Sequence, residues 1–106
     1  MINQTMKKVL AAALLLLHLP IHSLSPNEML VIIGAVKYYN ENCAGLTPKG
    51  MHQMNKGLKR FDMDNTPLFI LEKNKLAVSG FKTAEKFGCD GTHREARKAG
   101  YGHYIN

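Results

Sequence analysis

The sequence is short of most features that mark an enzyme or a spanning membrane protein. It has only two cysteines, Cys43 and Cys89, far apart in the chain, so no closely spaced pair could run dithiol exchange. Its longest apolar run, Val9 to Leu17, is nine residues, against the ~20 that a bilayer core requires of a helix. It carries no internal repeat and no low-complexity linker, and 106 residues are too few for two ordinary domains. Acidic residues are scarce, 8 Asp+Glu against 14 Lys+Arg. Aromatics do not interleave with the basic groups Lys56, Lys59, Arg60 and 93–98, as a single-strand nucleic-acid surface would require. No nucleic acid is therefore expected as a partner, and a solvated helix face accounts for those charges. With 45% apolar and 21% charged residues, the chain is also too apolar to be disordered.

What is present begins with an address. Lys7 and Lys8 precede the nine-residue apolar run, and His18, Pro20, Ser23 and Ser25 follow it. That order is the anatomy of an export signal. Ser23 and Ser25 both offer a small residue at the cut; a proline immediately after Ser25 fits an extended peptidase groove poorly, so cleavage is expected between Ser23 and Leu24. The competing reading, a retained anchor, has to extend through His18, Pro20 and His22. The sequence thus divides into a signal peptide, 1–23, and one small exported domain, 24–106, in the periplasm or outside the cell.

A domain of that size buries only roughly 60–65% of its unfolded surface and benefits from a staple. Export to an oxidising compartment and an even cysteine count point to a Cys43–Cys89 disulfide. The mature part keeps twelve Lys+Arg against eight Asp+Glu. Such a balance serves solubility first, with an acidic partner or an anionic lipid surface as the sharper readings.

Along the mature chain, Ser25-Pro26-Asn27-Glu28 combines a capping serine, a proline at the first helical position and a glutamate at the third. It predicts a helix through Met29 and Tyr39, with Met29, Ile32, Ile33, Val36 and Tyr39 inward. The β-branched stretch 30–33 is the argument for a strand instead. Thr47-Pro48 repeats the cap and opens a second helix to Arg60 or Phe61. Met51, Met54, Leu58 and Phe61 form its apolar stripe, and Lys49, Lys56, Lys59 and Arg60 face water. Next come two apolar runs, 68–71 and 76–78, around Glu72-Lys73-Asn74-Lys75 and closed by Ser79-Gly80, which read as a β-hairpin. A short helix over 83–87 stops at Gly88, Asp90-Gly91 makes a turn, and Thr92 caps a basic segment to Ala99.

Several chemical constellations fail on their own requirements. Asp62 and Asp64 lie in the local pattern of haloacid-dehalogenase-type phosphotransferases, but that chemistry needs a buried strand before the loop, where Lys56-Gly57-Leu58-Lys59-Arg60 stands. The same acids fail as a calcium loop, because Pro67 occupies the glycine position and Lys73 that of the bidentate glutamate. Cys89 and His93, with His103 and Cys43, have near-ligand spacing for zinc, but a disulfide consumes both thiolates. Met51-His52-Gln53-Met54 suggests a soft copper site, yet its methionines fall on the apolar stripe. No cofactor is implied and no complete catalytic set is marked.

The stretch from Leu58 to Phe87 resembles the C-terminal half of thioredoxin-fold proteins, closest to periplasmic disulfide isomerases of the DsbC/DsbG type. The residues that carry it are Asn65-Thr66-Pro67, the apolar runs on either side of Lys73-Asn74-Lys75, Gly80-Phe81 and Ala84-Glu85-Lys86-Phe87. The family's CxxC-bearing half has no counterpart, and Asn65 replaces the glycine before Thr-Pro. The resemblance implies a cis Thr66–Pro67 bond, with the Thr66 backbone facing an extended substrate segment. Thr66 and Pro67 are thus the candidate binding residues, without redox activity.

Two architectures follow. The first is α+β: two helices, a β-hairpin and a short C-terminal helix, partly thioredoxin-like and serving as a peptide- or protein-binding module. The second is an all-α three-helix bundle with one disulfide, in the class of periplasmic chaperones or immunity-type inhibitors. In it Ser25, Thr47 and Thr66 cap successive helices, and an up-down-up course brings Cys43 and Cys89 to one end. Both make the partner a protein or peptide.

Overall fold

Ser25 opens the first helix as its capping residues dictate. In a computed structural model that describes residues 24–98, 100 and 102–106, the Ser25 hydroxyl accepts from Glu28 N at 3.1 Å and the Glu28 carboxylate accepts from Ser25 N at 2.9 Å. Helix α1 then runs over Pro26–Asn42. The export signal expected before Leu24 lies outside the described residues.

Helix α1 is buried nearly all round: Met29, Ile32, Ile33, Gly34, Ala35, Val36, Tyr38 and Tyr39 are all inside. An all-round apolar helix belongs at the centre of its fold, and here α2 (Pro48–Arg60) and α4 (Lys75–Lys98) both pack against it. The helix expected from the capping box is present, and the strand that the β-branched run 30–33 offered as its alternative does not form.

Helix α2 starts at Thr47, whose hydroxyl accepts from Gly50 N at 3.1 Å. It ends in a left-handed turn at Asp62, φ 54°. There Met63 N donates to Leu58 O at 2.8 Å and Asp62 N to Lys59 O at 3.2 Å, the pair of bonds of a Schellman ending. The helix returns along α1, so that Gly57 near its end meets Met29 near the start of α1. The apolar stripe is shifted from the one the spacing predicts. Gly50, Met54 and Gly57 are buried, whereas Met51 is 47% exposed.

The β-hairpin does not form, and the architecture is the all-α alternative: the described residues contain four helices and no strand beyond an isolated Leu46–Ile105 bridge. Residues Leu68–Leu71 are a single helical turn, α3, on which Glu72 N donates to Leu68 O at 2.9 Å. Asn74, expected to break the chain into a turn, caps the long helix α4 instead. Its side-chain oxygen accepts from Leu76 N at 2.9 Å, and its carbonyl oxygen from Val78 N at 2.9 Å. Gly80 does not end the second apolar run either. It lies in α4 where a Cβ would be 2.1 Å from the carbonyl oxygen of Val31, and Gly34 faces the carbonyl of Ala77 in the same way. These contacts let α1 and α4 cross backbone to backbone.

Helix α4 is two helices joined at Gly88, whose φ of 76° and ψ of 177° belong to a region open essentially to glycine alone. The expected break at Gly88 is present, but the helix resumes at once: Asp90 and Gly91 are helical, not a turn. Thr92 is buried in mid-helix and donates to Ala84 O at 3.4 Å. The change of direction at Gly88 brings Cys89 beside the end of α1, where it is bonded to Cys43.

The core has two parts. Met29, Ile32, Ile33, Val36, Met54 and Ala77 pack near the start of α1. Ala35, Tyr38, Tyr39, Ala84, Ala96 and Ile105 pack near its end. A 3-10 turn, Gly102–Tyr104, and Ile105 close the second cluster across the 43–50 connection. Thr47 N donates to Tyr104 O at 3.1 Å, and the Thr47 hydroxyl to His103 O at 2.6 Å.

Candidate binding surface

Burial of Gly50, Met54 and Gly57 dictates which way α2 faces outward. At 100° per residue positions 52, 56 and 59 lie opposite these three and positions 49, 53 and 60 lie on one flank, so that one side of the helix carries Lys49, His52, Lys56, Lys59 and Arg60, with Gln53 at its edge. The helix contains no acidic residue. Lys49, His52, Lys56, Lys59 and Arg60 are exposed, and the two ion pairs shown among the described residues, Lys37–Glu41 and Lys98–Glu95, lie elsewhere. Lys59 and Arg60 occupy the last turn, where positive charge complements the helix dipole. Lys49 and Lys56 have no such local role.

The surface is indented on both sides of this ridge. A depression of about 450 Å³ is lined by Pro48, Lys49, His52, Gln53, His103 and Tyr104. A second, of about 430 Å³, is lined by His52, Asn55, Lys56, Leu58, Lys59 and Asp64. His52 lines both and forms the divide between them. The first depression exists because Thr47 holds the 3-10 turn against the start of α2. Gly50 permits that approach: a Cβ there would lie 2.1 Å from Tyr104 O. Sequence reasoning treated these cations as a solvated face, since nothing local shows that 102–106 returns to the start of α2.

The residues singled out by the thioredoxin resemblance line neither depression. Thr66 is half-buried and donates its N–H to Met63 O at 3.2 Å, and Pro67 precedes α3 as its cap, with its carbonyl oxygen accepting from Ile70 N at 3.0 Å. The described residues contain no cis peptide bond, so Thr66–Pro67 is trans. With 68–71 and 76–78 helical, no sheet edge adjoins Thr66 to receive an extended peptide.

The two cysteines are joined to each other and so are not thiolate ligands for His93 or His103. Among the described residues no group of three or more His, Cys, Asp and Glu side chains could hold a metal ion. Of the suggested copper pair, Met54 is buried and Met51 exposed. Asp62 and Asp64 follow a helix and lie on the surface. Tyr39 is 4% exposed and its hydroxyl donates to the main-chain oxygen of Asn106. Burial raises its pKa above the ordinary tyrosine value, and the Asp90 carboxylate adds to the rise.

Among the described residues no helix is long and apolar enough to cross a membrane. No protein-family model, curated protein or solved structure matches the chain.

Proposed function

We propose that this chain is an exported, disulfide-stapled helical binding protein of the periplasmic chaperone or inhibitor type, whose partner is a protein presenting an acidic segment. The supporting observation is the outward face of α2, where Lys49, Lys56, Lys59 and Arg60 share one side with His52 and the helix has no acid of its own. Such a row attracts a complementary negative surface and speeds encounter with it. Rigidity favours the same reading. The ridge is held by buried glycines on its inner side and by the bonds from Thr47 at its start, so little ordering cost falls on binding.

Capture from the envelope fraction of the producing cells tests this function. The wild-type chain should retain a protein that is released by raised salt. The Lys56→Glu/Lys59→Glu double variant should retain at least tenfold less of it, since each reversed rim charge costs on the order of 1 kcal/mol. Equal capture by both chains would refute the assignment of the ridge.

A further inference from the structure

The two depressions beside His52 differ in one chemical respect. The one toward the end of α2 is lined by a carboxylate of the chain's own, Asp64, together with Lys56 and Lys59. The one at the start of α2 is lined by Lys49, His52 and His103 and by no Asp or Glu. No ion pair among the described residues involves these three side chains, all of which are N–H donors. The rest of the lining is Pro48, Gln53 and Tyr104, and the His103 ring is tilted against that of Tyr104 with centroids 4.1 Å apart. Ring walls with a few convergent donors are the make-up of a ligand seat, and a volume of about 450 Å³ lies within the range of such seats.

The fold builds this seat from two distant pieces of chain. One wall is the first turn of α2 and the other is the returning segment 103–104. Besides the two bonds from Thr47, Asn106 N donates to Gly45 O at 2.9 Å, and Asn106 Nδ2 donates to Ala44 O and Leu46 O at 3.2 Å each. The rings of His103 and Tyr104 are thereby held against the start of α2.

We infer that this depression is the seat for one carboxylate side chain of the acidic partner segment, with Lys49, His52 and His103 as its donors. The assignment rests on the reading of the α2 face given above, and adds to that face a residue from outside α2. It also makes binding depend on pH. Histidine gains positive charge as pH falls from about 8 to about 5, whereas a glutamate side chain, with an ordinary pKa of about 4.3, stays ionised over most of that range. The groups that face the two imidazoles are Lys49, Gln53 and Tyr104 at this depression, and Lys56, Lys59 and Asp64 on the far side of His52. His103 lines only the depression without Asp64, so the anion that pairs with it comes from the partner.

An oligoglutamate peptide with acetylated and amidated ends is the probe, titrated into the full-length protein at about pH 7.5 and about pH 5.5. Affinity should rise about tenfold at the lower pH as both imidazoles charge. His103→Gln, which leaves the main-chain bonds of its turn in place, should lose several-fold in affinity at the lower pH and little at the higher. The Lys56→Glu/Lys59→Glu variant should bind more weakly at both values and keep the rise. In the parent the ring signals of His52 and His103 should shift on titration, and that of His93, which lines neither depression, should not. Equal binding by His103→Gln and the parent at the lower pH would overturn the seat, and a loss seen only in Lys56→Glu/Lys59→Glu would do so while leaving the α2 reading in place. Free glutarate that reproduces the ring shifts at equal carboxylate concentration would also overturn the inference, by identifying a small dicarboxylate as the occupant.

Discussion

Gly34 meets the backbone of Ala77 so closely that a Cβ on it would lie 1.7 Å from the Ala77 carbonyl oxygen. A second approach of the same kind, Gly80 against Val31, lies close by on the crossing. The centre of the fold is therefore a contact between two main chains. Helix glycine costs ~1 kcal/mol relative to alanine, and the packing of two backbones offsets it.

Gly34→Ala consequently reverses the usual sign of a helix Gly→Ala change. The propensity gain is outweighed by forcing α1 from α4, an overpacking cost of ~1–3 kcal/mol or more. Urea unfolding of the two proteins measures it. A variant as stable as the parent would show that the helices do not cross this closely.

The Cys43–Cys89 bond spans 46 positions and joins the end of α1 to the part of α4 beyond Gly88. Closing a loop of that length restricts the unfolded chain by about 4 kcal/mol. The Cys43→Ser/Cys89→Ser double variant should lose most of this in urea midpoint, and the parent should lose a similar amount under reductant. Equal stability with and without reductant would refute the staple.

Tyr39 links the end of α1 to the returning chain through its bond to Asn106. Burial first, and then Asp90, hold its pKa above the ordinary value, so the folded state keeps the phenol proton more tightly than the unfolded chain does. The stability this brings is complete below the ordinary value of about 10 and is lost as pH rises through the folded value. Tyr39→Phe should cost roughly 1–2 kcal/mol at neutral pH through the lost hydrogen bond. It should also flatten the decline that the parent shows above pH of about 10. Identical alkaline declines in both proteins would contradict this role.

How far the sequence reveals the fold depends on which residues carried local information. Ser25 with Glu28, and Thr47, start their helices through bonds to near neighbours, so both starts were legible. The cysteine pairing followed from parity and compartment. Asn74 and Gly80 misled, because a cap and a turn use the same asparagine and a breaker and a close contact the same glycine. Only the position of Val31 across the crossing distinguishes the two uses of Gly80. Met51 and Gly57 exchanged places for a related reason: a glycine counts as nothing in an apolar stripe, yet Gly57 is where the Met29 side chain fits. The ridge cations were visible as a helix face, but the depressions beside His52 depend on the return of His103 and Tyr104, 51 and 52 residues later.

The account turns on whether residues 68–78 are helical, because a hairpin there would restore a sheet edge beside Thr66–Pro67 and move the binding site from α2. Backbone chemical shifts across this stretch in the oxidised protein decide the matter. Helical shifts at Leu68–Leu71 and again from Lys75 onward are predicted, with protected amides at Leu76 and Val78. Strand shifts at 68–71 and 76–78, with cross-strand proton contacts between them, would contradict the helical fold and the binding surface derived from it.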